Sequence, residues 1–522
     1  MQQMQKRCDT SANKAYSQNS TNYTFPNLTN NTHIWESLFF FVIKKTSCNM
    51  LANRIKEQNE LLSLTASEKS EFVAIYGRRR VGKTYLIRET FKNNLSFQHT
   101  GINNENLDEQ LLAFSNSMRR YGRRGKTVPK NWTEAFFMLE QLLEKKDVGK
   151  KVIFIDELPW MDTPKSNFVS ALDHFWNGWA NTRNDILLIV CGSATSWIIS
   201  KIVKNYGGLH NRLTRQIHLA PFNLYECEQY AEERRLSMTR RQILETYMVI
   251  GGIPFYWDCL KKELSWAQNI DNMFFQENAP LRYEFDALYA SLFRAPQPYI
   301  DVVTILGTKK TGMTRDEIMK NLDRDLGGKL SDVLRHLDEC DFIRTYTPIG
   351  KKKKDTVYQL IDNYTLFYFK FISGKNINEP NYWSRTITKQ QYSVWSDLAF
   401  ERVCFWHISQ IKKALGISGI ISNVHSWVYR PKDENETGAQ VDMLIDRDDK
   451  VINLCEMKFS QGEFELTEKY DLELRNRMSI FQARTKTRKG VSTVMITAYG
   501  LKPNAWANDI QQQMTMDDLF EK

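Results

Sequence analysis

Residues Gly77-Arg78-Arg79-Arg80-Val81-Gly82-Lys83-Thr84 fit the pattern G-x-x-x-x-G-K-[ST] at every fixed position. Such a loop turns its backbone N–H groups inward to cradle phosphate oxygens. Lys83 has the length and charge to reach β- and γ-phosphates, and the Thr84 hydroxyl can ligate Mg²⁺. The helix that starts here, with Tyr85 next in line, offers its positive N-terminus. Arg78, Arg79, Arg80 and Val81 contribute main-chain donors whatever their side chains do. Further along, "KVIFIDELPW" ends an apolar run in Asp156-Glu157. Asp156 is placed to hold a metal's water shell and Glu157 to polarise an attacking water, the division that phosphoryl transfer to water requires. "CGSATSW" puts Ser193 where a polar side chain can touch a terminal phosphate. Arg212, in "GGLHNRLTRQ", could place positive charge on a transition state in cis or from a neighbouring subunit.

A second constellation lies in the last third of the chain. "GAQVDMLIDRDDKVINLCEMKFS" reads as a hairpin turning at Asp446 to Lys450. That turn sets Asp442 across the ladder within one residue of Glu456, and Glu456 and Lys458, two apart, share a face. Carboxylate oxygens are what Mg²⁺ selects, so Asp442 and Glu456 are candidate metal ligands. A neighbouring lysine can orient water or offset charge on phosphorus. Upstream, "SVWSDLAFERVCFWHISQI" places Val394, Leu398, Glu401, Phe405 and Ile408 on one helix face, so Glu401 is a carboxylate in an apolar stripe. A buried acid requires a partner.

These residues need elements to hold them. From 72 to 220, short apolar runs alternate with helical stretches, as in a parallel α/β sheet. The expected strands are Phe72 to Tyr76, Leu95 to His99, Val152 to Asp156, Ile186 to Cys191 and Gln216 to Leu219. Residues 225–290 read as helices only. After 295 come "YIDVVTILGTKK", "TRDEIMKNL" and "GGKLSDVLRHLDECDFI", then the basic turn "GKKKKDTVYQL". Leu330, Val333, Leu334 and Leu337 make one buried face of the third helix and leave Lys329, Asp332 and Arg335 outward. Three helices followed by a hairpin is the winged-helix plan. Lys351 to Lys354 would lie in its wing, facing DNA phosphate or simply solvent.

Length and composition set the frame. A chain of 522 residues suggests roughly three or four domains. Its 71 Lys+Arg against 61 Asp+Glu, a net +10, favours polyanionic partners without specifying one. Eight cysteines lie scattered without a C-x-x-C pair, which suits a reducing cytoplasm. Leu38 to Ile43 is too short to cross a bilayer, so no membrane partner is expected. Residues 1 to about 33 are rich in Asn, Ser, Thr and Gln and are expected to be disordered. Because Met50 precedes a helix-forming stretch, residues 1–49 read as an upstream extension.

"YGRRRVGKT", "FIDELPW", "CGSATSW", "NRLTRQIHLAPF" and "GGIPFYW", in that order, resemble the prokaryotic, archaeal-type AAA+/STAND-like P-loop ATPases. The resemblance covers about 50 to 290. It implies ATP and Mg²⁺ as cofactors, a five-stranded parallel core over 50–225, and a helical lid over 226–292 carrying a Gly-Gly-x-Pro turn at Gly251, Gly252 and Pro254. It further implies a winged helix over 293–375 and, in many members, a restriction-endonuclease-like tail, here 376–522. Glu401, Asp442, Glu456 and Lys458 match the PD-(D/E)XK nuclease pattern, in which a helix Glu precedes D…E-x-K. The expectation is a cytoplasmic ATPase that couples a nucleotide switch to DNA through the winged helix and nuclease-like tail, alone or with a protein or homo-oligomeric partner. Two other readings stay open: a non-cleaving, nucleotide-gated DNA-binding or scaffold protein, and a protein-binding signalling ATPase without nucleic acid.

Overall fold

Strands β1 (Glu71–Tyr76), β2 (Leu95–Thr100), β3 (Lys151–Asp156), β4 (Ile186–Gly192) and β5 (Arg215–His218) form an all-parallel sheet in the order β2-β3-β4-β1-β5. β1, β3 and β4 are apolar along nearly their whole length because helices cover both faces. Val73, Ile75, Phe154 and Ile189 pack into one core, and Phe72, Ala74, Ile153 and Leu188 into another. This computed structural model describes residues 53–522 apart from 93, 148, 205–208, 210, 376–378, 380, 432, 434 and 435. The expected N-terminal extension and the Leu38–Ile43 run lie outside the described residues.

Residues 51–522 form one compact unit. Between β5 and residue 292 the described elements are helices only, as the sequence suggests. The Gly-Gly-x-Pro turn is fixed by contact: a Cβ on Gly252 would sit 1.8 Å from the carbonyl oxygen of Phe222. Pro254 then opens the helix Pro254–Asp258 at a position where its missing N–H costs nothing.

Helices Gln297–Gly307, Arg315–Asn321 and Lys329–Glu339 come next, with an antiparallel sheet of order β6-β8-β7: β6 (Met313–Thr314), β7 (Ile343–Tyr346) and β8 (Val357–Leu360). Leu330, Val333, Leu334 and Leu337 are buried, while Lys329, Asp332 and Arg335 are exposed. Lys351 to Lys354 are exposed in the β7–β8 turn. The C-terminal part holds a second five-stranded sheet of order β13-β12-β11-β10-β9. Its strands are β9 (Ser422–Tyr429), β10 (Ala439–Arg447), β11 (Val451–Lys458), β12 (Gly490–Thr497) and β13 (Gln512–Met514). β9, β10 and β11 pair antiparallel, and β11, β12 and β13 pair parallel.

One sequence expectation fails here. In the helix Gln390–Trp406, Glu401 is buried as expected, but Val394 is 54% exposed and Leu398 is 36% exposed. The packed face instead runs through Tyr392, Trp395, Ala399 and Val403. The helix also stops at Trp406, so Ile408 belongs to the next helix, Ile408–Ala414. No helix among the described residues is long and apolar enough to cross a membrane. Six described cysteines are unpaired thiols, in keeping with their scattered spacing.

Candidate nucleotide site

The loop Gly77–Gly82 joins the C-terminal end of β1 to the helix Lys83–Phe91, at the edge where parallel sheets bind ligands. Gly77 has φ 143°, and a Cβ there would lie 2.3 Å from the carbonyl oxygen of Leu219 at the end of β5. Only glycine lets the loop leave the sheet this close to the neighbouring chain. Lys83 is buried, and its ammonium donates to the carbonyl oxygens of Gly77 (2.7 Å) and Arg78 (2.9 Å). Burial holds its pKa below the ordinary lysine range.

The acids reach this lysine from the end of β3, across β4 from β1. Thr84 Oγ1 donates to Asp156 Oδ2 at 2.6 Å. The other carboxylate oxygen of Asp156 accepts from Glu157 N at 2.9 Å and from the Cys191 thiol at 2.7 Å. Burial first, and then Asp156, push the Cys191 thiol well up, so it stays protonated as a donor. Glu157 has φ 49° and ψ 42°, a left-handed conformation that a non-glycine residue adopts at a cost of order 1–3 kcal/mol. It turns the side chain toward Ser193, whose Oγ (2.9 Å) and N (3.2 Å) donate to Glu157 Oε2. Thr84, Asp156, Glu157 and Ser193 are therefore one hydrogen-bonded group beside Lys83, as their sequence positions suggest. The Thr84 hydroxyl and the Asp156 carboxylate are an all-oxygen donor pair that suits Mg²⁺.

A cavity of about 570 Å³ opens beside this group, within the range of small-molecule sites. Arg79, Arg80, Val81, Gly82, Lys83, Thr84, Tyr85, Glu157 and Ser193 line it on the loop side. Asn53, Arg54, Phe222, Tyr230, Arg234, Phe255 and Asp258 line the other side. Sequence reasoning missed this second group, because its members lie on separate elements without a shared motif. Phe222, ending "NRLTRQIHLAPF", and Phe255, inside "GGIPFYW", lie in recognisable stretches, but neither stretch places them on the cavity. Tyr230 donates to Asp258 at 2.7 Å, and Arg234 pairs with the same carboxylate. The Arg80 guanidinium lies 4.1 Å from the Phe255 ring centroid and 2.6 Å from Glu284.

Neither Arg78 nor Arg212 lines the cavity. The Arg78 side chain is buried against Asp362 instead, so only its main chain belongs to the cradle. Arg212 is exposed in the turn before β5.

Residues 51–257 match a family described as an ATPase domain predominantly from Archaea. This stretch is similar to archaeal-type ATPase domains. An uncharacterized protein of Methanocaldococcus jannaschii is 24% identical over 430 residues, covering 78% of this chain and 88% of its own. Among solved structures, the Walker-type ATPase of Pyrococcus abyssi is 15% identical, spans 61% of this chain and 99% of its own, and superposes with a TM-score of 0.40. The ORC2 protein of Aeropyrum pernix, in ADPNP-ADP complexes, is 14% identical over 60% of this chain and 90% of its own, with a TM-score of 0.38.

In the tail, β10 and β11 pair Met443 with Cys455, which sets Asp442 one step further along, opposite Glu456, as expected from the turn. The carboxylates are engaged by cations of the chain itself. Lys310 Nζ lies 2.7 Å from Glu401 and 3.1 Å from Asp442. Glu456 meets Lys458 at 3.2 Å, and it also pairs with Arg477 and accepts from the Tyr470 hydroxyl. Among the described residues, no group of three or more His, Cys, Asp or Glu side chains is disposed to hold a metal. As arranged, Asp442 faces Lys310, and Glu456 faces Lys458 and Arg477. Burial first, and then Asp442, raise the Glu401 pKa to about 7.

Proposed function

We propose that the chain binds ATP and hydrolyses it, and that the nucleotide gates a DNA-directed module. The observation that carries the first part is the Lys83, Thr84, Asp156, Glu157 and Ser193 group at the mouth of a nucleotide-sized cavity inside an ATPase domain. Thr84 and Asp156 are the residues that would hold Mg²⁺, which offsets phosphate charge when bound. Glu157, fixed by Ser193, orients and polarises the attacking water, and Lys83 compensates the charge that develops on the phosphate oxygens. Arg212 acts only on the site of a neighbouring subunit, if on any.

Residues 50–225 are the proposed ATPase core, 226–292 the lid, 293–375 a winged helix and 376–522 a nuclease-like tail. On the third helix of the proposed winged helix, Arg335 is tied to Asp332 at 2.8 Å and to Glu339 at 3.5 Å, which leaves little net charge on its outer face. The exposed Lys351 to Lys354 are therefore the stronger phosphate contact. Mg-ATP turnover by the wild type, lost in Lys83→Ala and in Glu157→Gln, tests the ATPase; normal turnover by Glu157→Gln would refute its assigned role.

A second reading applies to the tail: it engages nucleic acid or protein without cutting. The engagement of Glu401 and Asp442 by Lys310, and of Glu456 by Arg477, favours it. Plasmid incubated with Mg²⁺ should stay intact. Nicking by the wild type but not by Lys458→Ala would restore the nuclease reading.

A further inference from the structure

The side chains of the three loop arginines reach other parts of the chain. Arg78 is 1% exposed; it forms an ion pair with Asp362 and stacks 4.3 Å from the Phe342 ring centroid. Asp362 is 4% exposed and caps the helix Asn363–Phe371, accepting from Thr365 N (2.8 Å) and Thr365 Oγ1 (2.5 Å). The Phe342 carbonyl in turn accepts from the N–H groups of Ile361 (3.0 Å) and Asp362 (3.2 Å). Both partners of Arg78 are thus tied to the β7–β8 hairpin. The main-chain oxygen of the same Arg78 accepts from Lys83 at 2.9 Å. Arg79 and Arg80 reach the helix Glu284–Leu292 in parallel, at Ala287 O (3.4 Å) and Glu284 (2.6 Å).

Stability alone is a poor reason for this ion pair. Two charges leave water, and Nε and Nη2 of Arg78 are buried without a hydrogen-bond partner. Two apolar side chains of similar volume would serve packing equally well. What the pair adds is direction: it fixes where the Arg78 carbonyl points.

We infer that Asp362 is a positioning residue for the phosphate loop, and that the Arg78–Asp362 pair transmits nucleotide occupancy to the β7–β8 hairpin and the helix behind it. The inference rests on the nucleotide-site reading above. A bound phosphate competes with the Arg78 carbonyl for the Lys83 ammonium, so occupancy is felt at the one loop residue whose side chain is anchored in the other module.

The test uses the full chain, with a fluorescent ATP analogue to measure affinity and amide hydrogen exchange to follow Phe342–Phe371 with and without Mg-ATP. The key variant is Arg78→Met with Asp362→Asn, which removes both charges and keeps a side chain able to cap the helix. The expected result is that nucleotide changes exchange across Phe342–Phe371 in the wild type. In the double variant that response is lost and the nucleotide Kd shifts about 5-fold or more, at a near-unchanged melting temperature. A double variant with wild-type affinity and response would reduce the pair to structure. If that variant does not fold, the wild-type response decides. Binding without any change at Phe342–Phe371 overturns the coupling and leaves the nucleotide site standing, whereas no binding at all removes both.

Discussion

Lys83 donates to two carbonyls of its own loop, and Glu157 is held by Ser193, so these charged groups are pre-placed by different neighbours. Removing each should therefore fail differently. Lys83→Ala should abolish nucleotide binding in a titration, while Glu157→Gln should bind normally and lose about 10²-fold or more in kcat. In the tail, the Glu401 carboxyl has its pKa raised from 4.5 to about 7, chiefly by burial. A carboxyl raised on folding stabilises the protein below pH 4.5, and that stability is lost as pH climbs through 7. Glu401→Gln should accordingly raise stability at pH 8 by on the order of 1–3 kcal/mol and by little at pH 5, as thermal melts at the two pH values would read. At this scale the phosphate loop, Asp156, Glu157 and Ser193 were legible in sequence, because a fixed loop and the ends of neighbouring strands bring them together. Phe222, Tyr230 and Asp258 were not, since only the packing of separate helices places them on the same cavity.

The central strands β1, β3 and β4 were readable to within a residue or so, because continuous apolar runs buried on both faces leave few alternative registers. The helix Gln390–Trp406 misled, since most of its C-terminal half is buried on every side and a single apolar stripe does not describe it. Two element-level outcomes follow. Gly252→Ala should destabilise by several kcal/mol in denaturant melts, because its Cβ would lie 1.8 Å from backbone that cannot retreat. Leu337→Ala, at a fully buried position of the third helix, should cost about 2–5 kcal/mol, read the same way.

Over the whole molecule, the loop proposed to cradle phosphate is the loop that grips the helix Glu284–Leu292 through Arg80 and, through Arg78, Asp362 next to the β7–β8 hairpin. A sequence could show that the arginines were there but not where they pointed, since their partners lie some 200 and 280 residues away (|i−j| of 208 for Arg79 to Ala287 and 284 for Arg78 to Asp362). If nucleotide state sets the engagement of DNA, as proposed, duplex DNA affinity at fixed salt, measured by fluorescence anisotropy on Glu157→Gln, should differ about 5-fold or more with and without Mg-ATP. The salt slope should shrink when Lys351 to Lys354 are reversed in charge. Equal affinity in both conditions, or none in either, would contradict the proposal.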